Sequence, residues 1–192
     1  AMHQAARVCD LSQLSDTAIK GIIGLGLPEA IALLYPELRE PRLIANFRKA
    51  YSDHYLALEA EPSALFPGVA QALESFRQQG YILAVATGKS RRGLDSVLAG
   101  RGWLNYFDIT RCADETASKP DPRMLYEILA HCRMSPNEAL MIGDSSFDLQ
   151  MAQRAGVRSV AVGHGAQPLA ALRREMPVLE IEHFDELRTW LG

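Results

Sequence analysis

Three short apolar runs constrain the fold of this chain more than any other feature. They are "YILAVAT" (81–87), "EALMIGD" (138–144) and "VRSVAVG" (157–163). Each is too short for a packed helix and holds too few polar residues for a strand with one wet face. Runs of this kind are strands buried in a parallel sheet. Helical segments separate and follow them. "PGVAQALESFRQQG" opens with Pro67 and closes with Gly80, and "SRRGLDSVLAGRG", "DPRMLYEILAHCRM", "SFDLQMAQRAG", "QPLAALRREM" and "DELRTWLG" complete the set. "YFDITRC" (106–112) is a further short strand. Strands alternating with helices predict an α/β domain, Rossmann-like, with a doubly wound parallel sheet.

The first third of the chain has a different period. Residues 1–65 read as helices with short breaks, and residues 66–192 as the alternating α/β core. Ser15 or Asp16 caps "DTAIKGIIG", and Pro28 and Pro36 bracket "LPEAIALLYPEL". "EPRLIANFRKAYSDHYLALEAE" (40–61) spaces Leu43, Phe47, Tyr51, Tyr55 and Leu58 as one apolar helix stripe, which predicts packing within a helical bundle.

Composition excludes several classes. A net charge of −3 leaves no broad basic surface for nucleic acid. No run approaches the roughly 18 apolar residues of a membrane span, and no signal peptide opens the chain. Cys9, Cys112 and Cys132 form no CxxC pair, so reduced thiols in a cytoplasmic protein are expected rather than a disulfide frame or a zinc site.

Chemistry concentrates where strands end. "AVATGKS" (84–90) ends like a phosphate-binding P-loop, but that motif needs glycine at position 83, where Leu83 stands inside the strand. Thr87 and the Gly88 amide then seat one phosphate, or Thr87 or Ser90 simply caps the next helix. Lys89 reads as incidental. In "GDSSFD", Asp144 follows a strand and Asp148 lies four residues on. These carboxylates either share a cation, for which Mg²⁺ fits, or the helix start uses them: Asp144 or Ser145 as its cap and Asp148 as first-turn charge. Lys119, in "SKPDP", is either a solvated charge or a cation aimed by the rigid turn that Pro120 and Pro122 impose. Thr87, Lys119 and Asp144 follow one another at 32 and 25 residues, about one βα unit each. Parallel strands carry their C-terminal ends to one edge, where ligands bind. A hydroxyl, an ammonium and two carboxylates there make a site for phosphate and magnesium.

Thr87 after an apolar strand, Lys119 in "SKPDP" and "GDSSFD" together resemble the second, third and fourth motifs of the haloacid dehalogenase superfamily. "FPGV" and the helical first third resemble its helical-cap branch, which includes phosphoglycolate-phosphatase-like enzymes. The resemblance implies a Mg²⁺-dependent phosphatase of a small phosphorylated metabolite. It assigns Thr87 and Gly88 to the phosphoryl group, Lys119 to charge neutralisation, and Asp144 with Asp148 to the metal, Asp148 directly or through water. It implies a cap over residues 1–65 that selects the substrate, with "GIIGLGLPEA" as the candidate specificity loop.

One family motif is not found. The superfamily's Asp-x-Asp-x-Thr supplies the nucleophile and the acid/base, and no such triplet occurs in these 192 residues. The opening "AMHQAARVCDLSQL" resembles the cap helix that follows that motif, and Met2 an internal methionine behind a residual Ala1. The expectation is therefore a missing first, central strand, an open place between the strands ending at Thr87 and Asp144, and a chain without phosphatase turnover. An open sheet edge favours association, so a homodimer is possible. The alternatives are a non-catalytic phosphate- or partner-binding protein and a haloacid dehalogenase; the latter chemistry needs no metal, which the paired carboxylates argue against.

Overall fold

The computed structural model describes residues 1–58 and 64–192. The chain opens with four helices, α1 (Met2–Val8), α2 (Asp16–Lys20), α3 (Leu27–Leu34) and α4 (Pro41–Leu58). The Ser15 hydroxyl caps α2 by accepting the Ala18 amide at 3.2 Å. Pro28 sits in the first turn of α3, where its missing N–H costs nothing. The expected extension of α4 to Glu61 lies outside the described residues. These helices share an apolar core of Met2, Ala5, Ile31, Tyr35 and Phe47. Phe47 is fully buried, as its stripe requires, but Leu43 and Leu58 are exposed. Helices α1 and α3 have 7 and 8 residues against the 18 of α4, so they cover only its middle.

Beyond residue 64 the order is α5 (Val69–Gln78), β1 (Ala84–Thr87), α6 (Arg91–Gly100), β2 (Ile109–Cys112), α7 (Arg123–Cys132), β3 (Leu140–Gly143), α8 (Ser146–Ala155), β4 (Arg158–Val162), α9 (Leu169–Leu172), β5 (Leu179–Ile181) and α10 (Phe184–Leu191). All strand pairs are parallel. Thr87 of β1 lies opposite Cys112 of β2, Gly143 of β3 opposite Ala161 of β4, and Val162 opposite Ile181 of β5. The fold is thus the expected α/β arrangement. Helices α5 and α10 pack with β4 and β5 around Phe76, Val160, Ile181 and Leu187, and α7 and α8 form a second cluster around Met124, Ile128 and Met151.

The sheet is in two pieces, β1-β2 and β3-β4-β5. Among the described residues no strand pairs with the outer edge of β1 or of β3, and residues 1–20 supply helices rather than a strand. A cavity of about 310 Å³ lies there, touching Ala86 of β1 and Met141, Ile142 and Gly143 of β3. Of the three strands read as buried, only one is buried along most of its length. β4, paired on both sides, is buried from Ser159 to Val162, whereas β1 and β3 are mostly half-buried. Two further differences are small. β5 was not expected, and "QPLAALRREM" makes only the single turn of α9 followed by a 3₁₀ turn over Arg173–Glu175.

Among the described residues no helix is long and apolar enough to cross a membrane. Cys9, Cys112 and Cys132 are free thiols, and burial pushes Cys112 up to about 12, so it stays protonated at neutral pH.

Candidate active site

The C-terminal ends of β1 and β3 meet the loop before α7 and the first helices around one cavity of about 800 Å³. Thr87, Gly88, Lys119, Asp144 and Asp148 all line it. The parallel topology therefore gathers every site residue read from the sequence.

The β3 side is a closed polar network. Lys119 and Asp148 are 7% and 4% exposed, and the Lys119 ammonium lies 2.5 Å from Asp148 Oδ1. The second oxygen, Oδ2, accepts the Ser145 hydroxyl at 2.7 Å and the Ser145 amide at 3.2 Å. Ser145, itself fully buried, is the N-cap of α8 in a capping box with Asp148. Two carboxylates four residues apart repel without a nearby cation, and here Lys119 is that cation. Lys119 is not a solvated charge, and Asp148 both starts the helix and holds the lysine. The glycine before Asp144 follows from this packing: a Cβ on Gly143 would lie 2.3 Å from Asp148 Cβ.

Asp144 is positioned by the loop after β4. Its Oδ2 accepts the Ala166 amide at 2.9 Å, and its carbonyl accepts the Gln167 amide at 3.0 Å. A Cβ on Gly165 would lie 2.1 Å from Asp144 Oδ2, so only glycine allows the loop so close. The other oxygen, Oδ1, has no hydrogen-bond partner among the described residues. The donor set fits Mg²⁺, which takes oxygen ligands from one or two carboxylates and fills the rest with water or phosphate. Asp144 offers an oxygen directly. Asp148, with both oxygens engaged, fits a role through water. No group of three or more His, Cys, Asp or Glu among the described residues forms a protein-only metal cage.

The β1 side is built differently. Thr87 Oγ1 accepts the Lys89 amide at 3.2 Å, which bends the chain out of β1. Ser90, not Thr87, caps α6 by accepting the Gly93 amide at 3.2 Å. Gly88 lies beneath the loop that joins α2 and α3: a Cβ there would be 2.4 Å from the Leu25 carbonyl oxygen and 2.5 Å from that of Gly24. The same loop reaches the other strand ends. The Gly26 amide donates to Ser118 Oγ at 2.7 Å, and a Cβ on Gly24, at φ 109°, would lie 2.7 Å from Ser145 Oγ. "GIIGLGLPEA" therefore sits directly over the site.

Lys89, read from the sequence as incidental, meets α4. Its ammonium hydrogen-bonds the Tyr55 hydroxyl of α4 and lies 4.6 Å from that ring's centroid. Tyr55 in turn stacks on Tyr51. Burial lowers the Lys89 pKa. Ser145, one of the two cap residues the sequence offered for α8, is the cap; Ser118 and the 163–167 loop were missed. Each acts through a tertiary neighbour, and only the glycines of that loop left a trace in the sequence.

The fold and this strand-edge site define a haloacid dehalogenase-type α/β hydrolase. The chain belongs to that family: the haloacid dehalogenase-like hydrolase family profile matches residues 1–162. It is 32% identical over 177 residues to "Probable phosphatase IndB" of Dickeya dadantii, covering 88% of this chain and 75% of that protein. It is likewise 32% identical over 150 residues to the phosphoglycolate phosphatase of Pectobacterium atrosepticum, covering 78% of this chain but 64% of that protein. The crystal structure of a hydrolase from Pseudomonas syringae superposes with a TM-score of 0.87 over 98% of this chain and 87% of that one, at 20% identity.

Proposed function

We propose that the site hydrolyses a small organic phosphomonoester with Mg²⁺. One observation carries the reading: Thr87, Gly88, Lys119, Asp144 and Asp148 line a single cavity under the loop of residues 21–26. Thr87 and the Gly88 amide hold the phosphoryl oxygens. Lys119 neutralises their charge from a fixed position, because Asp148 orients its ammonium and leaves it little freedom. Asp144 holds the metal and Asp148 supports it through water. Bound there, Mg²⁺ supplies charge stabilisation to the phosphoryl oxygens. Residues 1–65 act as the cap that covers the phosphate and selects the rest of the substrate. The phosphatase relatives support this chemistry, and phosphoglycolate is the first substrate to test.

These residues bind and polarise a phosphate, but in this reading neither carboxylate is left to attack it, since Asp144 holds the metal and Asp148 holds Lys119. The 192 residues alone are therefore expected to bind phosphate with little turnover. A phosphomonoester panel in Mg²⁺ and in EDTA tests both statements. It should compare the chain alone with a chain extended at residue 1 by a strand ending in Asp-x-Asp-x-Thr. Mg²⁺-dependent hydrolysis by the extended chain is expected; hydrolysis of no phosphomonoester by either form would refute the proposal.

A further inference from the structure

Two lysines line the same cavity in opposite electrostatic settings. Lys119 is matched by Asp148. Lys89 has no carboxylate within ion-pair distance among the described residues. Its partners are a neutral hydroxyl and an aromatic face, both from Tyr55. An ammonium drawn out of water towards neutral partners is costly unless an anion completes its coordination. Burial accordingly depresses its pKa.

The surroundings point the same way. On the facing helix α4, Arg48 also lines the cavity, and Arg92 does so from α6; neither forms an ion pair among the described residues. Three carboxylates line it too. Asp148 is paired with Lys119, Asp144 Oδ2 is bonded to the Ala166 amide, and Asp114 Oδ1 accepts the Arg91 amide. The cleft between α4 and the loop after β1 therefore carries cations in excess of their protein partners. A cavity of about 800 Å³ also exceeds what one phosphate needs.

We propose that Lys89, held by Tyr55, is a specificity residue that reads a second anionic group on the substrate, beyond the phosphoryl group seated at Thr87, Gly88 and Lys119. The proposal rests on that phosphate seat. The substrate class is then a small phosphomonoester carrying a carboxylate or a second phosphate, with Lys89 as the donor and Arg48 and Arg92 raising the local positive potential. Because Tyr55 belongs to α4 and Lys89 to the loop after β1, the subsite exists only while the two regions are apposed. This is the opposite of an incidental lysine: its neighbour Gly88 serves the phosphoryl group and Lys89 serves what is attached to it.

Titration calorimetry on the 192-residue chain separates the outcomes, with inorganic phosphate, ethyl phosphate and 2-phosphoglycolate as probes in Mg²⁺. Ethyl phosphate and 2-phosphoglycolate are alike in size but differ in tail charge, and ethylene glycol bisphosphate distinguishes a phosphate-reading subsite from a carboxylate-reading one. The wild-type chain is expected to favour an anionic-tailed probe over ethyl phosphate by about tenfold or more, the scale of one charge-assisted hydrogen bond. Lys89→Met should bring that preference down to about threefold or less, with the affinity for inorganic phosphate unchanged. Tyr55→Phe, which keeps the ring and removes the hydroxyl, should lower the preference less; it also serves if Lys89→Met does not fold. A preference that survives Lys89→Met, or an equal loss for all probes, would overturn the proposal. Failure of the wild-type chain to bind any probe would instead overturn the phosphate seat, and this inference with it.

Discussion

The β3 and β1 sides of the cleft hold their charged groups in contrasting ways. On the β3 side every buried group has a partner: Lys119 with Asp148, Asp148 with Ser145, Asp144 with the loop after β4. On the β1 side the geometry depends on helices from the other end of the chain. Leu25 presses on Gly88, and Tyr55 holds Lys89. A network closed within the α/β core is rigid and expensive to break, because removing one member strands the other. A side completed by the first helices is adjustable and leaves charge available to a ligand. In the proposed reading the β3 side supplies charge neutralisation and the metal carboxylates, and the β1 side supplies the phosphoryl seat at Thr87 and Gly88 together with discrimination at Lys89.

The most disruptive way to test this contrast is Lys119→Met. It leaves Asp148 buried without a countercharge and should cost about 3–5 kcal/mol. For a chain of this size that lowers Tm by roughly 10 °C, readable by thermal denaturation. Adding Asp148→Leu should recover much of the loss, since an apolar pair can replace a buried ion pair. If Lys119→Met were neutral, the closed network on the β3 side would be wrong.

Glycines make a matched pair of probes. Gly143→Ala and Gly88→Ala introduce clashes of similar closeness, 2.3 Å to Asp148 Cβ and 2.4 Å to the Leu25 carbonyl. Gly143→Ala pushes into a rigid network and should destabilise by about 1–3 kcal/mol. Gly88→Ala pushes on a loop that can lift, so its stability cost should be below about 1 kcal/mol while phosphate affinity falls. Equal stability losses in chemical denaturation would contradict the contrast.

Ser145→Ala removes the α8 cap and one hydrogen bond to Asp148, for an expected cost of about 1–2 kcal/mol. The smallest effect belongs to Lys89→Met. Replacing a cation that lacks a charged partner by an apolar chain should be neutral or stabilising by about 1 kcal/mol. The two lysine substitutions should thus move stability in different directions, which thermal denaturation of both variants checks.

The sequence made the strand-edge residues legible because short apolar runs and parallel topology suffice to gather Thr87, Lys119 and Asp144. β5 escaped notice because "LEI" is three residues long and its central Glu180 pairs with Arg173. The partnership of Asp148 with Lys119 spans 29 positions and that of Lys89 with Tyr55 spans 34, so local pattern could not show either. A lysine beside Gly88 looks the same in the sequence whether it faces water or α4. The loop 21–26 entered the sequence reading only through the family resemblance; that two of its glycines allow close backbone approach to Ser145 and Ser118 needed the fold.

The central claim, a phosphate seat with its metal carboxylate at this strand edge, is tested most directly by titrating inorganic phosphate into the 192-residue chain with and without Mg²⁺. Phosphate should bind, and Mg²⁺ should tighten it. Thr87→Ala should weaken binding in both conditions, and Asp144→Asn should abolish only the effect of Mg²⁺. Binding indifferent to Thr87, Asp144 and Mg²⁺ alike would place the phosphate elsewhere and contradict the assignment.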